Sequence, residues 1–486
     1  MKKMYKKIVT LLILSLGLIF LSSCVLEEDY DGEYKVTFVF NDQTKITKNT
    51  IDRKITPEEM PNQFRYNFKG WYLGNEEFNF NSKVTKNITL EAKYNDKLEH
   101  LVREVHIDLD DPSQMYLWNN NKKTDLKATI KYFSDKNFQI EEHNIKIRGR
   151  GNSTWSMPKK PYRIKFDDAT SMFGMKKAKL YVLLADYADP SGLRNFLGHE
   201  FSKMLNIDYA IETRHIELYF NGEYQGMYLL TEQVQVYKNR LNLTMDEKPD
   251  SGFLIELEAD ERMEGEGDQD FNWVRVNDRN YLIKYPKDDD YSVEDYTLKA
   301  AYIKSYLQDM ENSFLDGTYA NYLDVDQFID YFVLQELFKN VDINFSSVFA
   351  YKDEGGLLKM GPLWDFDISL GNGNYFDYSP YHFHAVNHPW LGKLLKDEDF
   401  KEKYVNRFLE VLEEYTATLL NILDAKQLAL EKYFNEDNDK WQTFNKHYWP
   451  VTNEMASKTK YSEYVELIKE FISLRSWWLL NNLDKL

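Results

Sequence analysis

The chain has 486 residues, with 61 Lys plus Arg against 79 Asp plus Glu, a formal net charge of −18, one Cys and 15% aromatic residues. This length predicts more than one domain. The acidic balance offers no general attraction to a phosphate backbone, which argues against a nucleic-acid-binding protein. A single Cys excludes an intramolecular disulfide and a Cys-built zinc site, and 43% hydrophobic residues are too many for a disordered chain.

The chain opens MKKMYKKIVTLLILSLGLIFLSSC. Lysines precede an apolar run, Ile8 to Leu21, broken only by Thr10, Ser15 and Gly17. The run is short for a membrane span and right for a signal-peptide core. Leu21-Ser22-Ser23-Cys24 resembles the bacterial lipobox at all four positions. The expectation is a signal peptide over 1–23, a lipidated Cys24, and a short acidic tether over 24–33. The folded part would then lie outside the cytoplasmic membrane, anchored to it by acyl chains. No later apolar stretch approaches the length of a span.

Residues 34–95 read as a small β-rich module. Tyr34 to Phe40 has strand composition, followed by Gly70-Trp71-Tyr72, Phe78-Asn79-Phe80 and Val84-Thr85-Lys86-Asn87-Ile88-Thr89-Leu90-Glu91-Ala92-Lys93-Tyr94. The order resembles the Listeria–Bacteroides repeat of internalin-type surface proteins, which implies a β-grasp spacer or contact module. Asn41-Asp42-Gln43 stands where that family has an Asn-Gly-Gly turn. Residues 96–125 are polar and read as a linker or a first strand region. The main domain is expected over 126–486. Strand signals run to about 286 and helical periodicity dominates from about 294, which predicts an α+β domain with a helical C-terminal part.

Four segments carry candidate chemistry. In the first, Arg148-Gly149-Arg150-Gly151-Asn152-Ser153 is a Gly-rich turn that lets backbone N–H groups approach an anion. The following strand, Tyr162 to Phe166, puts Arg163 and Lys165 on one face, as a polyphosphate site would. In the second, Asp189-Pro190-Ser191 starts a helix with Leu193, Phe196, Leu197 and Phe201 as its apolar stripe and Glu200 among its polar members. The third is the hairpin His215 to Phe220 / Asn221-Gly222 / Glu223 to Leu230, whose Asn-Gly pair predicts a type I′ turn. It runs on to Thr231-Glu232-Gln233, a candidate edge for a nucleobase. In the fourth, Asp342 follows a helix. The hairpin Val348–Met360 then leads to Trp364-Asp365-Phe366-Asp367, so two acidic sites flank one hairpin and offer hard oxygen ligands for Mg²⁺.

Together RGRGNSTW–PKKPYRIKF, LRNFL, YFNGEYQGMYLLTEQV, D-x₅-VFAY and GPLWDFDISLGN resemble the CotH family of spore-coat-protein-H-like atypical protein kinases. The resemblance implies a kinase-like domain that binds ATP with Mg²⁺ and phosphorylates Ser or Thr of protein substrates. By position it makes Asp365 the metal-binding Asp and Asp342 the catalytic-loop Asp, with Asp367 and Ser347 beside the metal. Arg148, Gly149, Gly151, Asn152 and Ser153 become the phosphate-side turn. Lys160 or Lys165 would hold the phosphates, with Lys165 favoured as an inward strand residue, and Glu232 would lie near the nucleoside. A Glu such as Glu200 could pair with that Lys. One departure stands out: Ser347 occupies the place of an Asn that supports the second metal in kinases, and Asn344 is out of register. The alternative is a pseudokinase acting as a surface adhesin or scaffold; a carbohydrate-acting enzyme ranks lower because no acid pair is set by spacing. His382, His384 and His388 sit in a Tyr/Phe/Pro-rich loop that argues against a metal site, and the acids from Glu256 to Asp270 lack EF-hand spacing.

Overall fold

Where apolar residues alternate along a strand, one face must be covered, and that need fixes most of the architecture. The computed structural model describes residues 33–39, 45–58, 68–94, 102–134 and 140–486. The expected signal peptide, Cys24 and most of the tether lie outside the described residues. The chain divides into two units, residues 1–97 and 98–486.

In the first unit, strands β1 (Lys35–Val39), β2 (Lys45–Asn49), β3 (Phe68–Leu73), β4 (Glu76–Glu77) and β5 (Ile88–Tyr94) form one sheet in the order β2-β1-β5-β3-β4. The central pair β1 and β5 is parallel and the other pairs are antiparallel. Val36, Phe38, Trp71, Leu90 and Ala92 form its small core. The Trp71 ring meets Phe38 edge-on, 4.8 Å between centroids, and its N–H reaches the Glu58 carbonyl. An indole so placed buries a large apolar area and still satisfies its polar atom.

The second unit begins with a closed seven-stranded barrel. Its strands are β6 (Arg103–Leu109), β7 (Leu126–Phe133), β8 (Ile140–Gly149), β9 (Tyr162–Thr170), β10 (Ala178–Leu184), β11 (Thr213–Phe220) and β12 (Glu223–Glu232). Strand β6 settles the open reading of residues 96–125. Its Val105, Ile107 and Leu109 are buried in the barrel core, and it pairs parallel to β11 and antiparallel to β7. The domain therefore starts well before residue 126: without this strand the barrel would have two open edges. Hairpin β11–β12 turns at Asn221 (φ 49°) and Gly222 (φ 79°), as the Asn-Gly pair predicts.

The barrel is followed by a five-stranded sheet, β14-β15-β13-β16-β17, made of β13 (Phe253–Glu258), β14 (Trp273–Val276), β15 (Arg279–Tyr285), β16 (Val348–Lys352) and β17 (Lys359–Met360). The principal helices are α1 (Arg194–Ser202), α2 (Val293–Asp316), α3 (Val325–Phe338), α4 (Glu398–Trp441) and α5 (Tyr461–Leu480). Side-chain caps start three of them: Ser292 for α2, Asp324 for α3 and Asp397 for α4. Helix α3 is apolar on nearly every side and runs through the largest core with α1, α4 and α5 around it. The 44-residue α4 packs along β12. There Lys159 and Asp437, both buried, form an ion pair of 2.8 Å, and Asp437 also accepts the Met227 N–H. Gly226 (φ +98°) makes room for it: a Cβ there would stand 2.1 Å from the Asp437 carboxylate. The second unit is thus α+β, with helices concentrated towards its C-terminal end.

Candidate functional site

A cleft of about 970 Å³ opens among the Gly-rich turn after β8, the end of β10, strands β13 and β15, and the segments Val341–Ser347 and Trp364–Ile368. It collects most of the expected site residues: Arg148, Gly149, Gly151, Asn152, Ser153, Asp342, Ser347, Asp365 and Asp367 all line it. Four others lie elsewhere. Lys165 is exposed on the outer face of β9, whose inward residues are Ile164 and Phe166. Closure of the barrel reserves the inside for apolar side chains, so a basic residue at that parity must point out. Lys160 donates to the Trp155 carbonyl at 2.6 Å and lies over that ring. Glu232 is fully buried in an ion pair with Arg240 and accepts the Tyr209 hydroxyl at 2.8 Å; the next residues, Gln233 to Gln235, reach the cleft instead. Glu200 pairs with Lys203 on the α1 surface.

The acidic floor is held by backbone geometry. Helix α3 ends at Lys339 in the left-handed conformation (φ 48°), and a short 3₁₀ turn, Val341–Asn344, presents Asp342. Asn340 caps that turn by accepting the Asp342 N–H, and its amide donates to the Asp365 carbonyl at 3.3 Å. One side chain thereby ties the two acidic segments together. Ser347 donates to Asp365 Oδ2 at 3.1 Å. Asp186, Ser347 and Asp365 all have positive φ (46°, 61° and 68°). Three non-glycine residues in that sparsely populated region at one site show backbone strain held by its surroundings.

Helix α1 holds the Asp365 loop from the other side. Arg194 pairs with buried Asp189 at 2.6 Å and donates to the Ser369 and Leu370 carbonyls. Asn195 accepts the Phe366 N–H at 2.7 Å and donates to Asp186 at 2.8 Å. Gly198 lets the Phe366 ring sit directly on the helix, since a Cβ there would be 2.3 Å from the ring. The LRNFL motif therefore serves through Arg194 and Asn195, not through a paired Glu.

The floor is electrostatically crowded. Burial, reinforced by the neighbouring charge of Asp365, pushes the Asp342 carboxyl up to about 6. Burial and Asp189 raise Asp186 to about 7. Burial and the charges of Asp365, Asp186 and Asp342 raise Asp367 well above the usual carboxylate range, and it shares a hydrogen bond with Asp365. Carboxylates forced together in a low dielectric hold protons unless a cation replaces them. Across the cleft, the Arg150 guanidinium lies over the Trp364 ring at 5.1 Å, facing the charges of Asp365, Glu256 and Asp367. Lys284 pairs with Glu256 at 2.7 Å on the sheet wall.

Asp186, Asn195 and Asn340 were not singled out from the sequence. Asp186 had one available signal, a carboxylate two residues past the end of the apolar strand Ala178–Leu184. The other two act through tertiary contacts that no spacing announces. Among the described residues no three His, Cys, Asp or Glu side chains form a preformed metal cluster. His382 pairs with Asp377 near the surface, while His384 and His388 are buried in separate aromatic contacts. Four of the acids from Glu256 to Asp270 bind protein cations: Glu256 with Lys284, Glu258 with Arg262, Asp260 with Arg275 and Asp270 with Lys304.

No curated protein matches the chain. Two protein families do: CotH kinase protein over residues 147–479, and the Listeria-Bacteroides repeat domain over residues 34–93. The first match spans the Gly-rich turn, the acidic floor and helices α1 to α5, well over half of the sequence. The chain belongs to the CotH kinase protein family and carries a Listeria-Bacteroides repeat domain ahead of its CotH domain.

Proposed function

We propose that the protein is a phosphotransferase that moves the γ-phosphoryl group of ATP to a Ser or Thr hydroxyl of a protein substrate, with Mg²⁺. The observation that carries this reading is the convergence of Asp342, Asp365 and Asp367 opposite the Arg148–Ser153 turn in one cleft. The donor set fits a hard divalent cation. Asp365 and Asp367 would hold it, Ser347 offers a hydroxyl oxygen, and the Asn344 amide oxygen lines the cleft without a hydrogen-bond partner. When bound, the metal would neutralise charge on the phosphates. Arg148 and Arg150, within the turn itself, take the phosphate-side role expected of Lys160 or Lys165. Asp342 orients the acceptor hydroxyl and takes its proton, a role suited to a carboxyl whose proton affinity lies close to neutrality. Trp364 lines the cleft beneath Arg150.

Incubation with γ-labelled ATP, Mg²⁺ and a protein acceptor tests the reading. Asp342→Asn and Asp365→Asn should each lower transfer by about 10²-fold or more; equal labelling in wild type and both variants would refute it. A second reading, a pseudokinase scaffold, draws on Ser347 in the place of the second metal-supporting Asn. It expects a thermal shift with ATP and Mg²⁺ but no transfer, and a gain of transfer in Ser347→Asn. The anchor belongs to the same picture: an acyl-modified Cys24 would hold the protein on the outer side of the bacterial cytoplasmic membrane, and Cys24→Ser should release it from the membrane fraction.

A further inference from the structure

One contact at the cleft mouth is left over by this scheme. The Tyr375 hydroxyl donates to Asp342 Oδ1 at 3.3 Å. That oxygen is where an incoming acceptor hydroxyl would have to bind. The Tyr375 ring stacks on Trp449, 5.7 Å between centroids and 23° between planes, and stays about half exposed. Its backbone is pinned on both sides. Before it, the Asn374 N–H and amide donate to the Pro450 and Val451 carbonyls at 2.9 and 3.2 Å. After it, Asp377 pairs with Lys339 at 2.9 Å. Lys339 also donates to the Ser379 and Tyr381 carbonyls, so the strap beyond Tyr375 is fixed to the end of α3. Asp365 and Asp367 lie within electrostatic range of the same phenol. A hydroxyl is therefore held on the acid that would deprotonate an acceptor, beside the carboxylates that would hold the metal.

The geometry points to Tyr375 as a built-in acceptor: a modification site that receives a phosphoryl group in cis from the nucleoside triphosphate in the cleft. This rests on the phosphotransferase reading above. In the step, the Tyr375 oxygen forms a bond to the γ-phosphorus and the bond from that phosphorus to the bridging oxygen breaks. The nucleoside diphosphate leaves with the bond pair, and the phenolic proton passes to the Asp342 carboxylate and on to solvent. A phenol needs no binding energy to arrive when the fold already holds it on the acid that would take its proton.

The test uses the full chain with ATP and Mg²⁺, read by intact mass and by peptide mapping. The expected result is phosphate on Tyr375 in wild type, accumulating at a fractional rate independent of protein concentration. None should appear at that position in Tyr375→Phe or anywhere in Asp365→Asn. Dephosphorylated casein serves as an added acceptor. Labelled casein with an unmodified Tyr375 overturns the inference and leaves the phosphotransferase reading standing. A fractional rate that rises with protein concentration overturns transfer in cis. Absence of all transfer, together with no ATP-induced thermal shift, overturns both.

Discussion

Asp342 and Asp365 were legible from the sequence because each sits in a motif whose local order, helix then turn and hairpin then Trp-Asp-Phe-Asp, survives into the fold. Lys165 was not legible in the same way. Which side of β9 faces a ligand depends on the barrel closing, and that is decided by six other strands. Glu232 failed for a related reason: Arg240, eight positions on, folds back to claim it. Asn340 makes a prediction at this scale. It joins the Asp342 turn to the Asp365 carbonyl without lining the cleft. Asn340→Ala should lower transfer while leaving the thermal shift with ATP and Mg²⁺ mostly intact, because it loosens the spacing of two acids without removing either. His199 makes another. It is fully buried between Trp364 and Phe366, and neither ring nitrogen has a hydrogen-bond partner among the described residues. His199→Leu should be neutral or stabilising near pH 7, since an unsatisfied polar group is replaced by an apolar one; urea midpoints measure it.

At the scale of elements, α1 shows how a helix can matter without supplying chemistry. Its sequence announces an amphipathic helix, and that much was legible. Its role in gripping the Asp365 loop through Arg194, Asn195 and Gly198 depends on contacts about 170 residues away in the chain. Gly198→Ala must displace the fully buried Phe366 ring, a strain of about 1–3 kcal/mol. The expected outcome is a lower thermal midpoint together with weaker Mg²⁺-dependent stabilisation, because Asp365 and Asp367 flank the displaced ring. The clamp between β12 and α4 gives a contrasting case. Removing one partner of the buried Lys159–Asp437 pair leaves a charge in a low dielectric, at a cost of about 3–5 kcal/mol. Lys159→Met should therefore destabilise strongly in chemical denaturation, and Lys159→Met with Asp437→Leu should recover part of the loss.

For the molecule as a whole, pH divides the buried ionisable groups into two opposing sets. Burial holds His199, His215 and His388 near 3, far below an ordinary His. The folded state binds fewer protons at these sites than the unfolded chain. Their contribution is complete above about pH 6.5 and is lost as pH falls towards 3. Asp186 near 7, Asp342 near 6 and Glu258 near 7 act with the other sign: the folded state holds their protons more tightly, so stability falls as pH rises from about 4 to 7. His199→Leu removes one member of the first set. Between pH 6 and 4 its stability should decline less steeply than wild type, by about 1.4 kcal/mol per pH unit. The α+β class and the strands-then-helices order were legible because hydrophobic period changes near residue 290; the barrel was not, since it pairs β10 with β12 and β6 with β11 across separations that periodicity cannot read. The Lys159–Asp437 pair spans 278 positions. A ribosome delivers Lys159 long before its partner, so every shortened chain lacking α4 leaves the β12 face of the barrel without the helix that covers it. Incomplete copies of this protein should therefore unravel and be degraded, leaving only full-length chains to accumulate.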